Sequence, residues 1–122
     1  MVNCVFADNN YNLPKINWIS GKFYDFFSSE MARLIVGLWD KKFDCDDFSA
    51  IFRVLAQICH KKSGGNAEGI AIAEIMYEQD SGGRHAINCA FTEKGPIFLE
   101  PQTGNQLLLS NNEISSIYYA HM

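Results

Sequence analysis

The hydrophobic period of the chain changes between Ser63 and Ile70, and this change restricts the fold more than any other feature of the sequence. Before it, Phe48, Ile51, Phe52, Leu55 and Cys59 recur at the spacing of one helix face. After it, "IAIAEIMYE" (70–78), "HAINCAF" (85–91), "PIFLE" (96–100), "QLLLS" (106–110) and "SIYYA" (116–120) alternate or form short apolar blocks, as strands do. The glycine-rich "KKSGGNAEG" (61–69) separates the two regimes. Upstream, "SSEMARLIVGLW" (28–39) predicts another helix, with Met31, Leu34, Ile35 and Leu38 in its stripe and Ser28 or Ser29 as N-cap. Helices followed by a run of strands are the α+β pattern, here N-terminal helices packed on an antiparallel sheet.

At 122 residues the chain has material for one core, so residues 1–122 form a single domain. Residues 1–27, rich in Asn and aromatic rings and broken by Pro14 and Gly21, read as an irregular aromatic arm packed on the body. A net charge of −4 leaves no basic stripe for nucleic acid. No apolar stretch approaches the roughly 20 residues of a membrane span. The first 18 residues lack the basic start and apolar run of a signal peptide, so a cytoplasmic location is expected. The cysteines at 4, 45, 59 and 89 form no CxxC pair, and without a secretion signal they are expected to be reduced.

One cysteine stands apart. In "KKFDCDDFSAIF" (41–52), Asp44 is a good N-cap and Asp47 answers it in an acidic capping box, which makes Cys45 the first helical residue. A helix N-terminus lowers a thiol's pKa and offers N–H groups to an oxyanion. The neighbouring carboxylates act against that, so the thiol needs a cationic partner. His85, opening a strand after "SGGR", is the candidate. If "TEKG" (92–95) is a hairpin loop pairing Phe91 with Pro96, Glu100 falls opposite Ile87, within diagonal reach of His85. Cys45, His85 and Glu100 would then be nucleophile, base and orienting carboxylate. A one-residue slip would send Glu100 to the other face. Asn88 alternates away from the His85 face as a structural residue, Cys59 and Cys89 sit in apolar periodicity, and His60 and His121 read as solvated. Arg84 is placed to meet an acidic group.

The order "DCDDF", "HAINCAF", "FLEPQTG" resembles the papain-like cysteine peptidases, and within them the papain-like C-terminal domain of the fairy-ring mushroom agglutinin. "HAIN" with "EP" is also similar to the "HAW…DP" of the transglutaminase-like group. The resemblance covers roughly residues 28–104. It implies a papain-like fold and a small thiol hydrolase cleaving peptide or protein substrates through Cys45, His85 and Glu100. It further implies a calcium requirement, with Asp46 and Asp47 as ligands, since hard oxygens suit Ca²⁺. The alternative for Asp44, Asp46 and Asp47 is a charged first turn that only complements the helix dipole. The papain-type Gln before the cysteine is missing from "LWDKKFDC", which leaves Trp39 or Gln102 to supply an oxyanion donor. The resemblance also leaves room for a homodimer paired through the sheet. The same acyl-enzyme would serve a transglutaminase or deamidase. A rival from another class is a non-catalytic binding or inhibitory module that keeps the scaffold without turnover, its cleft plugged by the aromatic arm.

Overall fold

The computed structural model describes residues 3–34 and 40–122. Its elements are β1 (Asn3–Val5), β2 (Tyr11–Asn12), a π-helical segment (Trp18–Phe23), α1 (Tyr24–Arg33), α2 (Cys45–Ser63), β3 (Gly69–Ile70), β4 (Ile72–Glu78), β5 (Arg84–Thr92), β6 (Gly95–Leu99), β7 (Gln106–Leu107), α3 (Asn111–Ser115) and β8 (Tyr119–His121). Six strands form one sheet in the order β1-β8-β4-β5-β6-β7, and β2 and β3 form a separate pair. No helix among the described residues is long and apolar enough to cross a membrane.

The fold is α+β, but the sheet is mixed rather than antiparallel as expected. β1 runs parallel to β8, with Cys4 opposite Ala120, while the other neighbours are antiparallel. Hairpins force neighbouring strands to be antiparallel, whereas β1 and β8 come from opposite ends of the chain and no turn ties their directions.

α2 begins and ends where local chemistry dictates. Asp44 takes the N-cap in extended backbone (φ −113°, ψ −162°), and its N–H donates to the Asp47 carboxylate at 3.2 Å. At the other end Gly64 adopts φ +74°, the left-handed conformation that stops helices and that glycine enters without steric cost. The buried stripe runs through Phe48, Phe52, Ala56 and His60, with Ile51, Leu55 and Cys59 only partly buried at its edge. The expected stripe was therefore displaced by one residue, and His60 is not solvated. It is buried, and its Nε2 donates to the Ala67 carbonyl at 2.9 Å, which satisfies the ring inside the fold.

The aromatic arm is itself structured. It supplies β1, β2, the π-helical segment and the start of α1, which begins at Tyr24 rather than at the serines. Phe23, Phe27 and Met31 form its buried face. Phe52 meets Phe23 and Phe27 edge-on, each at 5.0 Å between ring centroids, and this cluster joins α1 to α2. The predicted helical positions Ile35 and Leu38 lie outside the described residues. Beneath α2, Ile72, Ala90, Ile97 and Leu99 complete the core. The opposite face of the sheet buries Ala73, Ile75, Tyr77, Ile87 and Cys89, with Leu109, Ile117 and Met122 packed against them.

"NNEIS", expected to be a plain break, contains α3. Ser110 Oγ accepts from the Glu113 N–H at 3.1 Å, and Glu113 accepts from the Ser110 N–H at 3.0 Å. This capping box nucleates a single turn too short to show any hydrophobic period.

Candidate functional site

The site forms where the first turn of α2 meets the start of β5. Cys45 is the first residue of α2, half-buried, and lines the same cleft as Ala86 of β5. Burial is the largest influence on this thiol and raises its pKa. The Ala86 contact opposes the rise, while Asp44 and Asp46 add to it. The outcome is a pKa above the ordinary thiol value, contrary to the lowering expected from the helix terminus. Desolvation and two carboxylates outweigh the dipole.

His85 opens β5 and Glu100 directly follows β6. The hairpin pairs Phe91 with Pro96 and Asn88 with Leu99, which brings Glu100 level with Ile87. His85 Nε2 lies 2.6 Å from Glu100 Oε2, with side chains only 18% and 14% exposed. A carboxylate accepts, so Nε2 donates and Nδ1 is left for another partner. Glu100 Oε1 accepts from the Gln102 N–H at 3.3 Å. The turn is fixed further by Gly104 N–H to Glu100 O at 2.8 Å and by Tyr24 Oη to Pro101 O at 3.2 Å. Burial, and secondarily the Glu100 charge, push the Tyr24 phenol above its usual pKa. Gly104 has φ +78°, and a Cβ there would stand 2.7 Å from the Tyr24 ring, so only glycine lets the turn close on α1.

Cys45, Asp46, Arg84 and His85 line one cleft of about 170 Å³, with Met76 and Tyr118 as its apolar walls. The Arg84 guanidinium lies over the Tyr118 ring, 5.1 Å from its centroid. No residue of the described N-terminal arm lines this cleft, so the arm does not plug it. Gln102 faces a different cavity, beside Tyr24, Phe27 and Phe48. Trp39 lies outside the described residues. Tyr77 escaped sequence reasoning: it pairs with His85 across β4 and β5, and its ring meets the imidazole edge-on at 6.0 Å. Only the strand register could have revealed that.

Asp44, Asp46 and Asp47 each bring an oxygen within 4.8 Å of the others. The strain of this crowding appears in Asp44, whose pKa is raised to about 6, first by its hydrogen bond with Asp46. Three hard oxygen donors this close can hold a divalent ion.

The Agglutinin C-terminal family matches residues 20–106, well over half the chain. Among solved structures, a Polyporus squamosus lectin, bound to the human-type influenza-binding epitope Neu5Acα2-6Galβ1-4GlcNAc, has a TM-score of 0.75 at 21% identity. A PSL1a–E64 complex has a TM-score of 0.70 at 22% identity. Each alignment covers 99% of this chain but only 42% and 44% of the other, so this chain spans less than half their length and shares their fold. No curated protein matches.

These findings correct the assignment to the papain-like cysteine peptidases, and with it the thiol hydrolase and catalytic-triad chemistry and the peptide or protein substrate. The matching family is one of agglutinins, and the similar lectin is described by a glycan that it binds. With its match over residues 20–106, the chain belongs to the Agglutinin C-terminal family.

Proposed function

We propose that this chain is a non-catalytic binding module of an agglutinin, built on a papain-like scaffold, and that its ligand enters the cleft between α2 and β5. The observation that carries this is an open, largely apolar cleft whose lining includes Cys45, Asp46, Arg84 and His85, while Glu100 holds the imidazole at 2.6 Å. Each group has a binding role. Arg84 offers a cation backed by Tyr118, His85 offers Nδ1, the Cys45 thiol is a weak donor, and Asp46 accepts. Glu100 and Gln102 keep the imidazole oriented. A small number of convergent polar groups against apolar walls is what orients a small ligand.

Ca²⁺ is the cation proposed for Asp44, Asp46 and Asp47. Bound there, it would neutralise three crowded carboxylates at the rim of the cleft. Calorimetry with Ca²⁺, against Asp46→Asn with Asp47→Asn, tests this part; equal heats for both proteins would exclude the site.

The ligand site is tested with the glycan of the Polyporus lectin and with E64, the two compounds bound in the similar structures. Amide NMR shifts centred on Cys45, Arg84, His85 and Tyr118 with either compound support the proposal. Shifts centred elsewhere, or none with either, overturn it. So does an increase in intact mass by that of E64 placed on Cys45, since the thiol would then be an activated nucleophile.

A further inference from the structure

Asn88 is fully buried between α2 and the sheet. Its Nδ2 donates to Ser49 O in α2 at 3.0 Å and to Ala73 O in β4 at 3.2 Å, while its Oδ1 has no hydrogen-bond partner among the described residues. Ser49, also buried, donates from Oγ to Ile87 O in β5 at 2.9 Å. Directly across from Asn88, Glu74 binds Arg53 Nε at 2.6 Å, one helical turn beyond Ser49. Cys45 sits one turn before Ser49 and lines one cleft with His85 and Ala86 of β5. Two successive turns of α2, at Ser49 and at Arg53, are thus bonded to β5 and β4.

A buried amide with an unpaired acceptor is a poor means of gaining stability, because a leucine of similar size would fill the space without that penalty. Apolar packing tolerates a helix sliding along a sheet, whereas directed bonds from one amide to two elements do not. We propose that Asn88, with Ser49, is a positioning residue that sets the register of α2 on β5 and thereby holds Cys45 opposite His85. This rests on the reading of the cleft as the ligand site, but its test does not involve a ligand.

The experiment measures iodoacetamide alkylation of each cysteine by peptide mapping at one pH, with EDTA present, alongside melting curves. The carbonyls of Ser49 and Ala73 lie in a helix and a strand whose own ladders use them, so Asn88→Leu leaves no new orphan and is expected to fold. Freed of its tie, the first turn of α2 shifts and Cys45 is alkylated at least threefold faster, while Cys4 on the edge strand keeps its rate. Ser49→Ala, a milder change, gives a smaller increase. The double variant is no faster than Asn88→Leu alone, because both act on one clamp. An unchanged Cys45 rate in both single variants overturns the proposal, whatever the melting temperatures do. Acceleration of all four cysteines together overturns it as well, since that is general loosening. If Cys45 responds as expected while no ligand shifts the cleft, the positioning stands and the binding function falls.

Discussion

Removing the Glu100 carboxylate should uncouple the two strands that meet at the cleft. Glu100→Ala deletes the 2.6 Å bond to His85 and the 3.3 Å bond from the Gln102 N–H. A hydrogen bond to a charged group contributes about 1.5–3 kcal/mol, and a long neutral–charged contact nearer ~0.5. Because both side chains are less than a fifth exposed, little of the first figure is lost to screening. The expected cost is therefore about 2–3 kcal/mol by urea denaturation. His85→Phe keeps the ring and its contact with Tyr77 but removes the donor. In a double-variant cycle the pair should couple by roughly 1.5 kcal/mol, with unchanged urea m-values. Glu100→Gln, which still presents an acceptor oxygen, should cost less than half as much as the alanine variant. Additivity of Glu100→Ala and His85→Phe to within about 0.5 kcal/mol would refute the pair as an energetic unit.

Other parts of the structure can be tested as directly. Asp44 has a folded pKa of about 6, above its unfolded value, so the folded state holds the extra proton and stability contributed by this group declines as pH rises from about 4 to 6. Asp44→Asn keeps an N-cap and should flatten that decline in melting temperature; an identical pH profile would show that Asp44 is not the group responsible. Phe52→Ala empties the junction of α1 and α2 and should cost about 3–5 kcal/mol in chemical denaturation, whereas less than about 1 would mean that the aromatic cluster does not hold the helices together. Gly104→Ala must shift either the Tyr24 ring or the Glu100 turn and should cost about 1–3 kcal/mol, with NMR shifts at His85; a silent spectrum would show that the turn and the imidazole are not connected.

Local chemistry was enough to determine much of this protein from its sequence. The start of α2 at Cys45 follows from two aspartates three apart, and its end from a glycine able to reach φ +74°, both decided within a few residues of chain. The β5–β6 register follows from the length of one hairpin loop, and with it the level of Glu100. What depended on distant parts of the chain was not legible. The burial of His60 needed a carbonyl from the loop beyond α2, and the parallel β1–β8 pair joined the two ends of the molecule. The one-residue rotation of the α2 stripe, which buries Ala56 and His60 rather than Leu55 and Cys59, depends on packing against elements distant in the chain. The thiol shows the difference most clearly. Sequence position puts Cys45 at a helix dipole that lowers its pKa, but the dipole is a local, partial charge. Burial against β5 and the charges of Asp44 and Asp46 act on the same sulfur with the opposite sign, and only the packed structure determines how much water the sulfur loses.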